Sequence, residues 1–442
     1  MPVPANTSAT SSRGHLLAVL GVGFGLAVTI GNAIGAGILR TPGVIATHLQ
    51  TFWPFLLVWI GGALYAFLGA NALAELGTRV PRSGGQYVFV RHGLGDYAGF
   101  VVGWSDWIST CGTTAAVAIV VGEYTVALIP AARTQQVIAL AVVAILTIVQ
   151  WLGVRAGGAV QNVTSVMKAL ALLFFIGACF WLGARNPMAP TVVNAEREGS
   201  LLLPFVLALQ SVIYTYDGWS AVIYFSEEVK DYARSIPRAM FSGLAAVTLI
   251  YLSINIAILR VVSVPTIAGQ NFAAGVVMER MFGANGFNLL RALVVVLLLS
   301  AVSSNVLMAP RVLYAMAKDR LFWRGASEVN RGGTPDVALL ISSLLAAGFI
   351  VTNTFDTVIA KLAFFFVANY TLSFVTLFVL RRREPESPFR AWGHPFTTGL
   401  ALVASLAFLI AATLGDPRSS LWSVGLLLAT IPVYFGAKRY SR

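Results

Sequence analysis

The sequence predicts an all-α polytopic membrane protein with about twelve transmembrane helices, and three observations lead to this prediction. Only 11% of the 442 residues are charged, whereas 57% are hydrophobic and the mean hydropathy is +0.79. A soluble domain carries about 25% charged residues. Apolar runs of about 20 residues, the length that crosses a bilayer, recur along the chain, and two of these runs are interrupted.

The apolar runs follow one another with short polar connections. We place the predicted spans at residues 17–47, 52–75, 95–129, 135–153, 160–184, 203–229, 237–262, 287–317, 336–354, 358–380, 395–414 and 420–438. Five spans then fall within 16–185, five within 200–382, and two within 390–442, which ends in a short tail. Residues 1–15 are small and polar and are predicted to be a disordered N-terminus.

The positive charge is distributed unevenly between the two sides of the predicted bundle. Lys and Arg concentrate in the loops at 79–91, 230–238, 318–331 and 381–390, whereas the opposite loops hold roughly half as many. The rich side is therefore predicted to be cytoplasmic, together with both termini, which requires an even number of spans. The net charge of +12 is explained by these loops, so no nucleic-acid partner is expected.

The first interruption lies within the first span. Three of the seven residues from Gly31 to Gly37 are glycine, and each costs about 1 kcal/mol in a helix relative to alanine. In lipid such a break persists only where it lines a cavity or holds a ligand. A helix that restarts after Gly35 directs its free N–H groups into that cavity, so Gly35, Ala36 and Gly37 are predicted to bind a carboxylate.

The second interruption is Tyr214–Trp219 in the sixth span. The two breaks lie five spans apart, in the first members of two sets of five, and because five is odd, the second set has inverted polarity. Interrupted helices at matching positions of inverted halves indicate the substrate site of a secondary transporter. Two unrelated glycine kinks are the alternative interpretation. The carbonyls of Ala33, Tyr214 and Thr215 are expected to face an ammonium group, so the pair suits a zwitterionic α-amino acid.

Two further stretches leave alternatives open. Residues 263–286 are amphipathic and glycine-rich, and are predicted to be either a lid-like external loop or an ordinary long loop. Asp217 lies inside the second break. Its carboxylate is predicted either to cap a helix restarting at Gly218 or to act on substrate, by binding an ammonium group, favouring a cationic side chain or carrying a proton.

Several motifs carry a family resemblance. Gly31–Leu39, followed by Pro42, resembles the first-helix motif of the amino acid–polyamine–organocation (APC) superfamily, with Ala36 and Leu39 in place of the usual Ser and Phe. The L-type amino acid transporters and their bacterial relatives are similar at other motifs, namely Glu75–Thr78, Pro81–Tyr87, Gln161–Lys168, Gly218–Trp219, Glu227–Val229 and Ile236–Ala239. Val329–Pro335 resembles a loop of the bacterial arginine/agmatine antiporter. The resemblance implies a LeuT-like 5+5 inverted repeat with discontinuous helices 1 and 6 and two peripheral helices.

The resemblance also assigns roles to side chains. Lys168 matches a lysine that stands in for the sodium of a second sodium site, with Ser303 and Ser304 as possible partners; the alternative is a lysine that snorkels to the interface. Tyr214 matches an aromatic that closes over the substrate. The side-chain pocket positions of the arginine/agmatine antiporter correspond to Ser109, Thr113 and Asn305, for which polar contacts between helices are the alternative.

Other acidic and basic residues receive weaker predictions. Asp106 is a buried acid below the predicted site. The charged residues near the cytoplasmic ends are expected to form inner-gate or structural ion pairs, namely Glu75, Glu227, Glu228 and Arg311.

The family resemblance also leads to predictions about partners and cellular location. Mammalian L-type carriers bond a partner through a cysteine after helix three, and the corresponding stretch, Ile129–Gln135, has none. No disulfide-linked heavy chain is therefore expected, and a monomer or homodimer in a bacterial inner (plasma) membrane is predicted. Cys111 and Cys179 lie in apolar runs, and neither a cofactor nor a metal site is indicated.

The sequence thus predicts a sodium-independent carrier that exchanges neutral L-α-amino acids by alternating access. The alternatives are a proton-coupled symporter, a carrier of cationic amino acids or polyamines, and a non-transporting amino-acid receptor. An enzyme is not expected, because the four histidines lie in loops or near span ends without a catalytic constellation.

Overall fold

The computed structural model is an assembly of helices joined by short connections. It describes residues 16–35, 37–129, 134–183, 201–270, 272–352, 355–415 and 417–440. The α-helices are α1 Val22–Ala33, α2 Gly37–His48, α3 Phe52–Arg79, α4 Gln86–Leu94, α5 Asp96–Leu128, α6 Gln135–Trp151, α7 Val154–Gly183, α8 Leu202–Tyr216, α9 Tyr232–Val261, α10 Val264–Ile267, α11 Ala273–Lys318, α12 Asp336–Thr352, α13 Phe355–Arg383, α14 Phe396–Gly415 and α15 Pro417–Tyr440. Two 3₁₀ helices span Ala221–Phe225 and Arg324–Ser327.

Within the described ranges, seven helices are long and apolar enough to cross a membrane, and the bent pair α1 and α2 makes an eighth span. The protein is therefore an all-helical polytopic membrane protein. Two more apolar helices, α6 and α12, have 17 residues each, and 17 is the lower limit of the usual spanning length.

Glycines set how closely the broken helices approach their neighbours. A Cβ on Gly62 of α3 would lie 2.4 Å from a methyl carbon of Val212 on α8. Likewise, a Cβ on Gly243 of α9 would lie 2.6 Å from a methyl carbon of Thr29 on α1. Small residues at helix contacts allow backbones to approach closely in a membrane. The glycines therefore allow α8 to pack closely against α3, and α1 against α9.

One end of the bundle carries a dense set of basic groups. Helix α3 ends there at Arg79, α11 at Lys318 and α13 at Arg383. We call this the basic end. Several ion pairs join its connections, among them Arg82 with Asp319 at 2.9 Å.

Within the stretch predicted to be a loop, residues 264–267 and 273–286 are helical. Helix α10 covers Val264–Ile267, and α11 begins at Ala273 and kinks at Gly283, where φ is +64°. The segment packs on α2, because the Gly269 amide donates to the Gly43 carbonyl at 3.1 Å. It therefore covers the end of α2 that lies away from the basic end.

Candidate functional site

The first span is broken where the glycines predict. Helix α1 ends at Ala33, α2 begins at Gly37, and the two are bent by 42°. The Gly35 amide donates to the Ala33 carbonyl at 3.0 Å, which closes a tight turn at the end of α1. Ala36 lies outside the described residues.

Lys168 of α7 holds this break. Its ammonium Nζ donates to the Gly31 carbonyl at 2.7 Å and also to the Ile34 carbonyl. The side chain is fully buried, and Lys168 lies at the middle of α7, because that helix begins at Val154 rather than at the predicted residue 160. The ammonium therefore lies inside the bundle and does not reach an interface as a snorkelling lysine would. A buried cation here compensates the negative end of the α1 dipole.

The two serines predicted to join Lys168 bond elsewhere. The Ser304 hydroxyl donates to the Ser300 carbonyl at 3.1 Å, one turn back on α11. The Ser303 hydroxyl accepts from the Gln150 amide at 3.4 Å. Both serines are buried, but the hydrogen bonds of Lys168 go to the α1 backbone.

The second break follows α8. That helix ends at Tyr216, and the next helical piece is the 3₁₀ helix that begins at Ala221. Gly218 has φ of +105°, and a Cβ there would lie 2.8 Å from the Ala33 amide nitrogen. Only glycine fits, since the two breaks touch each other at this point.

The predicted capping role of Asp217 is wrong. No helix restarts at Gly218, and the N-cap of the 3₁₀ helix is Ser220. The Asp217 carboxylate accepts a hydrogen bond of 2.6 Å from the Tyr370 hydroxyl of α13 and another from the Gly218 amide. Asp217 is partly exposed and lines the cavity between the breaks.

A cavity opens between the two breaks. Predicted site residues that line it are Ala33, Gly35, Gly37, Thr113, Tyr214, Thr215, Asp217 and Asn305. The ring of Tyr214 lies 6.5 Å from that of Phe366, which also lines the cavity. The cavity thus combines backbone groups of both breaks with one carboxylate.

Ser109 does not line this cavity, contrary to the prediction. It is fully buried, and its hydroxyl donates to the Asp106 carbonyl at 3.0 Å. The neighbouring Thr110 lines the cavity instead. Successive side chains on a helix point in directions about 100° apart, so a prediction that is wrong by one residue selects a side chain on a different face of the helix.

Residues that the sequence did not single out complete the site. The Tyr251 hydroxyl of α9 donates to the Ala33 carbonyl at 2.6 Å and the Thr215 carbonyl at 2.9 Å. The third carbonyl expected to face an ammonium group, that of Tyr214, accepts from the Asp217 amide at 3.1 Å, so all three already have a donor. Other lining residues that the prediction missed are Asn32, Gln86, Thr110, Val117, Gly218, Ser220, Tyr224, Ala301, Met308, Phe366 and Tyr370. Asn32, Gln86 and Gly218 lie inside motifs singled out from the sequence but had not been assigned to the site, whereas Tyr224 and Tyr370 gave no signal.

Asp106 lies next to the cavity wall. Both of its carboxylate oxygens accept from the Tyr224 hydroxyl, at 2.7 and 2.9 Å. Asp106 is buried, and Tyr224 separates it from the cavity. Within the described part of the chain, no three His, Cys, Asp or Glu side chains are grouped so that they could hold a metal ion.

The basic end is closed beneath this site. The Leu20 amide donates to the Glu228 carbonyl at 2.9 Å, and the Glu228 carboxylate pairs with Arg311 at 2.6 Å. Both charged side chains are almost fully buried, and the Arg311 guanidinium also lies 4.4 Å from the Phe225 ring centroid. Two other predicted residues, Glu75 and Glu227, pair with Arg381 and Lys318 respectively.

This arrangement defines a membrane carrier with a backbone-lined site at two helix breaks. Residues 25–437 match the family described as amino acid permease, and the chain belongs to that family. It is an APC superfamily amino acid transporter and not an enzyme.

The curated relatives are similar over most of their lengths. The serine/threonine exchanger SteT of Bacillus subtilis is 28% identical over 433 residues, which cover 95% of this chain and 97% of that protein. The b(0,+)-type amino acid transporter 1 of Mus musculus is 24% identical, covering 93% and 86%. Large neutral amino acids transporter small subunit 2 of Mus musculus is 26% identical, covering 92% and 78%.

Proposed function

We propose that this protein exchanges neutral L-α-amino acids across the plasma membrane by alternating access, without sodium. The observation that carries the proposal is the buried Lys168 ammonium on the Gly31 and Ile34 carbonyls. A protein-borne cation already compensates the end of α1, so no solute cation is needed there. Because this charge stays with the carrier, no ion crosses the membrane with the substrate, and no ion gradient drives net uptake. We therefore expect the carrier to exchange one amino acid for another.

The substrate class follows from the backbone at the breaks. A carboxylate would be bound by the amides of Gly35, Ala36 and Gly37 around the start of α2, and the Gly35 amide would then leave the Ala33 carbonyl to which it donates in the empty site. The ammonium group would contact the carbonyl of Ala33 or of Thr215, because the single proton of the Tyr251 hydroxyl can be donated fully to only one of them at a time. The side chain would lie toward Thr113 and Asn305, with Tyr214 over it.

The architecture belongs to the same proposal. We assign twelve spans, with inverted repeats at 16–185 and 200–382 and two peripheral helices within 390–442. The basic end is cytoplasmic, together with both termini, in a bacterial inner membrane. The carrier works as a monomer or homodimer without a disulfide-linked heavy chain. The relatives' shared length supports the architecture, and the name of the Bacillus subtilis exchanger supports exchange.

Reconstitution into proteoliposomes tests the proposal. Labelled serine, threonine, alanine, leucine, lysine and arginine are offered in buffer without and with sodium, to vesicles that are empty or loaded with unlabelled amino acid. We expect uptake of neutral amino acids into loaded vesicles only. Sodium-dependent uptake, or equal uptake into empty vesicles, would contradict exchange by a carrier with a fixed internal cation.

A second candidate function rests on Asp217. Its carboxylate lines the cavity, and a cationic side chain or a transported proton would be stabilised there. Uptake into empty vesicles that rises with an inward proton gradient would support a proton-coupled symporter. Uptake of lysine or arginine in preference to neutral amino acids would support a carrier of cationic substrates. Binding without uptake under every condition would support a receptor.

A further inference from the structure

An apolar groove runs along the surface of the bundle between α3, α8 and α14. Its walls come from residues 61–68 of α3, 206–213 of α8 and 400–411 of α14. Leu64 and Leu400 line it and are 58% and 55% exposed, so the groove opens on the surface that faces the bilayer. Its volume is about 270 Å³, compared with about 80 Å³ for the cavity between the breaks. We call it the lipid-facing groove.

The lipid-facing groove has the length and the composition that suit one acyl chain. The α14 residues that line it, from Leu400 to Ala411, extend over about 17 Å at 1.5 Å per residue. One acyl chain crosses half of the hydrocarbon core, which is about 15 Å. The lining side chains are apolar except for Tyr65 and Gln210, and the Tyr65 hydroxyl is hydrogen-bonded to that of Ser405 at 2.8 Å. An empty groove of this kind would leave its walls without packing partners.

The second polar group of the groove lacks a partner. The side-chain nitrogen Nε2 of Gln210 is buried and makes no hydrogen bond within the described part of the chain. An amide N–H that is removed from water without an acceptor costs free energy, and the bilayer core holds no water to replace one. A phospholipid carries an ester carbonyl, which is an acceptor, at the head of each acyl chain. The unpartnered amide therefore indicates a ligand that combines an acyl chain with a carbonyl group.

We propose that the lipid-facing groove binds one acyl chain of a membrane phospholipid, and that the Gln210 amide donates to the ester carbonyl of that chain. The site goes beyond the transport function, because its ligand is a component of the bilayer and not a transported substrate. A bound chain fills the space between α8 and α14 and supplies the contacts that the groove walls lack.

The groove adjoins the substrate site through a second, smaller cavity. Tyr65, Ile213 and Phe408 line both the groove and this smaller cavity. Tyr214 and Asp217 line both the smaller cavity and the one between the breaks. Ile213 directly precedes Tyr214 on α8. The bound chain therefore packs against the half-helix that leads into the second break.

The test measures how much lipid the protein keeps after extraction from the membrane. The carrier is reconstituted with a phosphatidylethanolamine that carries a diazirine on one acyl chain, then extracted into detergent, purified and irradiated. Detergent removes lipids that only surround the protein, whereas a bound chain stays. We expect mass spectrometry to find the label on wild-type peptides of α8 and α14. Ala404→Trp, which fills the groove with an indole ring, should lower the retained label about ten-fold.

Two further variants separate the site from the general lipid surface. Val403→Trp is the matched control, because Val403 is adjacent on α14, is 62% exposed and does not line the groove. It should keep the retained label within about two-fold of the wild type. Gln210→Leu preserves an apolar wall and removes the donor, and the loss of one hydrogen bond should lower the label about five-fold. An unchanged label in Gln210→Leu overturns the contact with the carbonyl.

The remaining outcomes decide the proposal as a whole. A wild type that retains no label, or equal labelling of Ala404→Trp and Val403→Trp, overturns it. A dimer in light scattering without retained label overturns it as well, because a second copy of the chain then covers the groove. If Ala404→Trp does not fold, Ala407→Trp replaces it, since Ala407 lines the same groove and is exposed, and the same loss is expected. None of these measurements requires amino-acid uptake, so the site and the proposed function are tested separately.

Discussion

The two interrupted spans meet at one point of the molecule but are stabilised differently. The first break is held by a charge from another helix, the Lys168 ammonium on the Gly31 and Ile34 carbonyls. The second break carries its own charge, Asp217, whose carboxylate is bonded by Tyr370 of α13. Lys168 is fully buried behind the break, whereas Asp217 lines the cavity.

The two charges therefore have different roles in one site: one fixes its shape, and the other contributes to substrate selection. A charge that binds only backbone and never meets the cavity fixes the shape of the site without choosing among substrates. A charge that lines the cavity contributes to the choice of substrate. We therefore expect changes at the first break to act on all substrates alike, and changes at Asp217 to act on some substrates more than on others.

The largest effect is expected from Lys168→Met, which keeps the length of the side chain and removes the ammonium group. Two buried carbonyls then lose charge-assisted hydrogen bonds, each of which contributes about 1.5–3 kcal/mol. Exchange of every tested amino acid should fall by about 100-fold, measured as initial rates per folded molecule. Met167→Ala, on the exposed face of the same helix, is the control and should retain wild-type rates. Activity above half of the wild type in Lys168→Met would remove this account of the first break.

The next largest effect is expected from Gly218→Ala, at the contact between the breaks. The added Cβ would lie 2.7 Å from the side-chain nitrogen Nδ2 of Asn32, and φ is +105°, so strain and overlap together cost about 2–5 kcal/mol. The measurement is the midpoint of thermal inactivation, followed by size-exclusion chromatography in detergent. Gly35→Ala provides the comparison at the first break, because its Cβ would meet nothing within 4 Å and the protein should remain folded. Equal losses in both variants would show that the contact at Gly218 has no special importance.

A selective effect is expected from Asp217→Asn, which keeps an oxygen for Tyr370 and removes the negative charge. Exchange of neutral amino acids should stay within about three-fold of the wild type, because they carry no side-chain charge. Competition by lysine and arginine should weaken about ten-fold, which corresponds to about 1.4 kcal/mol. Tyr370→Phe is the control, since it retains the carboxylate and should keep the wild-type response to cations. If Asp217→Asn alters neither group of substrates, the carboxylate only stabilises the second break.

The smallest effect is expected from Thr41→Val, which removes a single neutral hydrogen bond between the breaks. The Thr41 hydroxyl lies 2.6 Å from that of Thr215, and such a bond contributes about 1 kcal/mol. Exchange should fall by less than about five-fold. A double-mutant cycle with Thr215→Val isolates the pair, and we expect a coupling free energy of about 1 kcal/mol. A coupling above about 3 kcal/mol would mean that this bond, rather than the contact at Gly218, joins the two broken spans.

The features that the sequence predicts well are those encoded by neighbouring residues. Glycine spacing placed the first break between Ala33 and Gly37, and α1 and α2 end and begin at those residues. Apolar runs predicted an all-helical membrane protein, and the family match confirms an amino acid permease. The count of twelve spans stays a prediction, since eight satisfy the criterion of length and hydropathy within the described residues.

Other features depend on which face of a helix meets which partner. The sequence selected Ser109, but Thr110 lines the cavity, because a shift of one residue rotates a side chain by about 100° around the helix. The predicted cap at Asp217 failed for a related reason. Its partner, Tyr370, is 153 residues away along the chain, and no local pattern records that distance.

The sequence by itself determined the membrane class, the family and the places where two spans break, since hydropathy and glycine act over short stretches of chain. Only the tertiary structure decided how the breaks are stabilised. Lys168, Tyr251 and Tyr370 come from three different helices, and each bonds a group at least 36 residues away. Such contacts depend on the rotation and spacing of packed helices, so they exist only once the chain has folded.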